Sequence, residues 1–135
     1  MFSKKYLSRL LALVLVAAIS LMGCDANPSG LSGDYRQDTL AVLDNLKEAV
    51  ELPRDAENRE EIVTLARRQI SDYAARYRRN SKTAGLRSFT TMQTALNALA
   101  GYYSSYGSNR PIPAKLKKRL NQEFKQVEIA LKRGV

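Results

Sequence analysis

From residue 34 onward, apolar side chains recur every three or four positions in four separate segments. Nowhere do they alternate with polar ones over the length of a strand. A period near 3.6 collects such residues on one face of a helix, whereas a half-buried strand needs a period of two. The first stripe is Tyr35, Thr39, Leu43, Leu46 and Val50, and it stops at Pro53, which cannot continue a helix. The second is Ile62, Ala66, Ile70, Tyr73 and Tyr77, with Asn58 and Glu61 spaced as a capping box. The third runs from about Ser88 to Tyr106, with Phe89, Met92, Leu96, Leu99, Tyr103 and Tyr106 inward and Gly107 as the stop. The fourth opens near Pro113, a favoured first-turn proline, and carries Leu116, Leu120, Phe124, Val127 and Leu131. Short connections make sequential helices antiparallel neighbours. The expected fold is therefore all-α, an up-down-up-down four-helix bundle over residues 34–135.

The first 23 residues read as an address. Lys4, Lys5 and Arg9 precede an uncharged apolar run from Leu10 to Met22. That run is short of the roughly 20 residues a membrane-spanning helix needs, and it ends in Leu21-Met22-Gly23-Cys24. Small or medium residues before a lone Cys suit lipidation of the thiol followed by cleavage. The expected mature chain starts at a lipidated Cys24, and residues 24–33 form a flexible tether. Several acyl chains, at about 0.8 kcal/mol per buried CH₂, hold a protein on a membrane durably.

With the first 23 residues removed, three cations go and the formal charge falls from +9 to +6. Residues 34–51 are acidic, with five carboxylates against Arg36 and Lys47. Residues 111–135 are basic, with seven cations against Glu123 and Glu128. This asymmetry marks interaction surfaces and not a nucleic-acid domain, since no aromatic-laced basic motif is present. The chain has no His, and its one Cys is assigned to lipid. Cys/His metal sites, thiol catalysis and a histidine base are thereby excluded, and no glycine-rich phosphate loop appears. No cofactor, no resident metal, no catalytic residue and no nucleic-acid partner is expected. The expected working form is a monomer.

Two helix faces stand out beyond the core stripes. The third segment has no charged residue from Ser88 to Asn109, and its outward positions are Thr90, Thr94, Asn97, Ala98, Gly101 and Ser105. Either these residues simply face water or neighbouring helices, or the face lets a partner approach without stripping water from a charge. On the fourth, Lys118, Lys125 and Lys132 recur every seven residues, with Ile129 isolated among them. This is either a solvated face or one that steers an acidic partner. The up-down topology also gathers Arg78, Arg79, Lys82, Arg87, Lys132 and Arg133 at the tethered end. They either face solvent or attract anionic headgroups or acidic loops of a membrane partner.

Several strings carry a family resemblance. They are Gly33-Asp34-Tyr35, Asp38-Thr39-Leu40, Tyr77-Arg78-Arg79, Gly85-Leu86-Arg87-Ser88-Phe89-Thr90-Thr91-Met92, Thr94-Ala95-Leu96-Asn97-Ala98-Leu99, Tyr106-Gly107 and Asn109-Arg110-Pro111-Ile112-Pro113. Across the mature chain they resemble the lumenal photosystem II assembly and repair lipoprotein family of cyanobacteria and chloroplasts. The Cys24 motif fits the cyanobacterial branch, because plastid members lack that lipid. The resemblance implies a right-handed antiparallel bundle, lipid-anchored on the lumenal thylakoid face. It implies transient binding to the large lumenal loop of a core antenna chlorophyll protein in immature or damaged photosystem II, before the manganese cluster is assembled. A permanent extrinsic subunit of the oxygen-evolving complex and a periplasmic envelope scaffold remain as alternatives. Intact mass spectrometry of the native protein should give residues 24–135 plus a diacylglyceryl group and an N-acyl chain. The bare polypeptide mass would exclude the anchor.

Overall fold

The computed structural model describes residues 29–135. The expected signal segment, Cys24 and residues 25–28 of the tether lie outside the described residues. Five helices and no strand appear among those residues: α1 (Tyr35–Glu51), α2 (Arg59–Arg78), the single turn α3 (Ser81–Ala84), α4 (Arg87–Tyr106) and α5 (Ala114–Arg133). The four long ones are the four expected from periodicity. The turn α3 interrupts what reads as a plain loop, because Asn80 accepts a hydrogen bond from the Lys82 N–H (3.0 Å) and caps it.

The long helices pack in a ring, α1 on α2, α2 on α4, α4 on α5 and α5 on α1. Hydrogen bonds between elements show which ends meet. Tyr77 at the end of α2 bonds Asp38 in the first turn of α1. Tyr35 of α1 bonds Ser88 of α4 (2.6 Å), and the Ser88 N–H donates to the Val135 carbonyl (3.2 Å) after α5. At the opposite end Arg59 joins the start of α2 to the loops after α1 and α4. Successive long helices therefore alternate in direction.

The core is filled by the predicted stripes, with Leu43, Leu46, Met92, Leu96, Leu99, Leu120 and Phe124 fully buried. Burial of each such side chain contributes about 1.5–3 kcal/mol of hydrophobic free energy. Several details differ from the sequence expectation. Ile62 and Leu116 are only half-buried against the core, and Val63 takes the inward place in α2. Tyr106 is 55% exposed. Its angle around the helix is a core angle, but it lies past Tyr103, the last buried residue of α4. There it packs on Tyr102 (4.9 Å between ring centroids) beneath the Arg110 guanidinium. The Asn58 side chain makes no capping bond, since its backbone (ψ 17°) is not extended as that bond requires. Gly107, at φ 75°, ends α4 as expected, its N–H donating to the Tyr103 carbonyl (2.8 Å).

The compact unit begins at Leu31, three residues ahead of the expected boundary. Leu31 is buried, and the next two residues are held by Asp38. The Asp38 carboxylate accepts from the Ser32 N–H (2.6 Å), the Ser32 hydroxyl (2.7 Å), the Gly33 N–H (3.0 Å) and the Tyr77 hydroxyl (2.5 Å), with Arg76 at 3.7 Å. Burial alone would raise its pKa. The bonds from Tyr77, Ser32 and Gly33 outweigh that, and its pKa lies below the ordinary 3.8. Beside it Thr39 donates to the Tyr35 carbonyl and so must accept from the Tyr73 hydroxyl (2.8 Å). Burial raises the pKa of Tyr73 and of Tyr77, the latter helped by the Asp38 bond. Tyr103 differs: its buried hydroxyl has no partner among the described residues, and burial pushes it up to about 12.

Two outcomes follow for stability. Tyr77→Phe should cost about 1.5–3 kcal/mol, because it strips a donor from a buried carboxylate, whereas Tyr103→Phe should be neutral or stabilising. Urea unfolding of both variants checks this, and equal losses would contradict it. A depressed folded-state pKa gives stability that is complete above the unfolded pKa and lost as pH falls through the folded one. With no His in the chain, thermal melts should hold steady between about pH 7 and 5.5, then fall below about pH 4. Asp38→Asn should lower the neutral plateau and flatten that acid limb. A cooperative loss of helix between those first two values would overturn the account.

Candidate partner-docking faces

The outward face of α4 is built from short side chains that mostly satisfy themselves. The Thr90 hydroxyl donates to the Arg87 carbonyl (3.2 Å) and the Thr94 hydroxyl to the Thr90 carbonyl (3.0 Å), turning their polar atoms onto their own helix. The Gln93 amide donates to Asn97 (3.0 Å). Thr90, Thr94, Asn97, Gly101 and Ser105 are exposed, and a Cβ added at Gly101 would meet nothing within 4 Å. Ala98 is the exception, half-buried and packed against the core. The face is thus weakly hydrated, and covering it costs little desolvation.

A groove of about 450 Å³ runs beside this face between α2 and α4, lined by Arg67 and Arg78, by the buried Ile70 and Ala74, and by the exposed Asn97. The Gln93 Oε1 atom in its wall is buried without a partner among the described residues. Sequence reasoning missed this groove, since Arg67 and Gln93 fall on helix flanks where periodicity reports neither core nor surface.

Lys118, Lys125 and Ile129 are exposed on α5, Ile129 to 42%. Ile129 shares a hollow of about 200 Å³ with Arg87 and Thr91 of α4, so it meets the neutral helix at one end; Lys118 and Lys125 do not line it. Part of the charge asymmetry in the sequence is spent inside the molecule. Lys47 pairs with Glu128, Lys117 with Glu51 (3.5 Å), and Asn121 donates to Glu51 (3.1 Å), stitching acidic α1 to basic α5. Arg119 pairs with Glu123 on its own helix (3.1 Å). Lys118, Lys125 and Lys132 are left without carboxylate partners among the described residues.

Among those residues no three His, Cys, Asp or Glu side chains gather in one place, and no helix is long and apolar enough to cross a membrane. The molecule is of the class of small antiparallel helical bundles whose surface chemistry lies on helix faces and shallow grooves. The chain belongs to the Photosystem II Pbs27 family, whose model matches residues 5–131. It is 61% identical to the Photosystem II lipoprotein Psb27 of Synechocystis sp. over 99% of this chain and 98% of that one. It is 49% identical to the Photosystem II assembly factor lipoprotein Psb27 of Thermosynechococcus vestitus, over 96% of each chain. The solution structure of Psb27 from cyanobacterial photosystem II superposes with a TM-score of 0.73 at 62% identity, covering 79% of this chain and 92% of that one.

Proposed function

We propose that this chain is a non-catalytic photosystem II assembly and repair factor, lipid-anchored through Cys24 on the lumenal thylakoid face. It binds a core antenna chlorophyll protein of immature photosystem II transiently and leaves before the complex is complete. The observation that carries this reading is near-full-length identity to two lipoproteins named for photosystem II, one of them as its assembly factor. The charge-free, self-satisfied face of α4 supports it independently, since a surface covered and later uncovered is best made of groups with little hydration to lose. In this reading Thr90, Thr94, Asn97 and Gly101 form the contact, with Ala98 supporting them from beneath. Lys118 and Lys125 steer the approach, and Ile129 lies at the margin.

Gly101→Glu and Thr94→Glu place a carboxylate on that face where the bundle has room for it. Each should leave the thermal melt unchanged and weaken binding to antenna-containing assembly intermediates by about 3 kcal/mol, more than a hundredfold. Lys118→Glu with Lys125→Glu should instead slow association and reduce its salt dependence, with a smaller loss of affinity. Normal binding by the α4 variants and failure of the lysine pair alone would move the docking face to α5.

A further inference from the structure

We infer that the end of the bundle where the chain enters is a docking surface for anionic lipid headgroups. Cations from four elements meet there: Arg78 and Arg79 ending α2, Lys82 in α3, Arg87 opening α4, and Lys132 and Arg133 closing α5. All six are exposed, and none has a carboxylate partner among the described residues. Two carboxylates of the same end are already engaged, Asp38 buried beneath Arg76 and Tyr77, and Asp34 capping α1 through the Gln37 N–H (2.9 Å). The positive charge is therefore not cancelled locally, as it is along the seam between α1 and α5.

Two observations choose a membrane over an acidic protein loop. The cations are spread around the end of the bundle on separate helices, an arrangement that presents charge to a plane and not to a strand in a groove. The chain also enters there, with Leu31 in the core and Ser32 and Gly33 tied to Asp38. Only six residues lie between Cys24 and Leu31, a span of at most about 25 Å when fully extended. With the lipid at Cys24, which the orientation argument takes from the proposed function, the basic end lies within reach of the headgroups. Each cation near an anionic surface adds attraction that fades within a Debye length.

The test uses residues 24–135 carrying Cys24→Ser, so that no acyl chain contributes. The relative's solution structure, covering 79% of this chain, indicates that this portion folds alone. Partitioning is measured on phosphatidylcholine vesicles with and without phosphatidylglycerol, across a salt series. The chain should bind only the anionic vesicles and come off as salt rises. Arg79→Glu with Lys82→Glu should weaken partitioning about thirtyfold, and Lys132→Gln with Arg133→Gln, on another helix, about tenfold or more. Lys115→Glu with Lys118→Glu, an equal change of charge at the opposite end, should cost less than about threefold. Equal weakening by the two Glu pairs would overturn the inference by reducing it to net charge. Absence of binding to phosphatidylglycerol vesicles would overturn it too, leaving acidic protein loops as the ligand. Neither result bears on Cys24, whose lipid is read separately from the intact mass.

Discussion

The buried carboxylate of Asp38 ties together three parts of the chain at one end of the core. It takes hydrogen bonds from the residues that enter the bundle, from the last turn of α2 and, through its own backbone, belongs to the first turn of α1. An ionised group at 1% exposure is tolerable only because those donors replace its water. Around it Tyr35, Tyr73, Tyr77 and Phe89 form a packed aromatic layer, with Tyr35 and Tyr77 edge-to-face at 5.2 Å. The cluster ties the entering chain and the first turn of α1 to the last turn of α2, two helices that the apolar core already packs together along their lengths.

Arg59 does corresponding work at the other end. It is only 7% exposed and donates to the carbonyls of Pro53 (3.0 Å), Ser108 (2.7 Å) and Arg110 (2.5 Å). Those carbonyls lie in irregular segments with few backbone donors of their own, so a five-donor guanidinium serves them well. The two clusters differ in sign: a buried anion clamps the end nearest the tether, and a buried cation clamps the far loops.

Between these clamps the surface is divided by chemistry. Part of the charge on α1 and α5 is paired in their shared seam, α4 carries none after Arg87, and cations without carboxylate partners among the described residues remain at the end where the chain enters and on the outer side of α5. A rigid, apolar-packed bundle keeps these regions in fixed relation to one another. Under the proposed function this separation lets each surface be covered without stripping the other of water.

The spacing of apolar residues was by itself sufficient to determine the four long helices and most of their inward stripes, because period 3.6 and chain breakers are local properties, and the short connections implied antiparallel neighbours. Gly107 as a stop and the neutral face of α4 were legible for the same reason, as was the family, whose strings are written in the sequence. The roles of Asp38, Arg59, Thr39 and Ser88 were not: each is polar, and only the meeting of distant segments gives it a buried partner. Tyr106 failed as a core residue for want of information about height along the bundle, since a helical wheel records angle but not where the neighbouring helices end. Ala98 and Gly101 looked alike in sequence, yet packing leaves one half-buried and the other open to solvent. Local pattern decides which face of a helix is apolar; tertiary structure alone decides how far the neighbours extend to cover it and which polar groups they bring together.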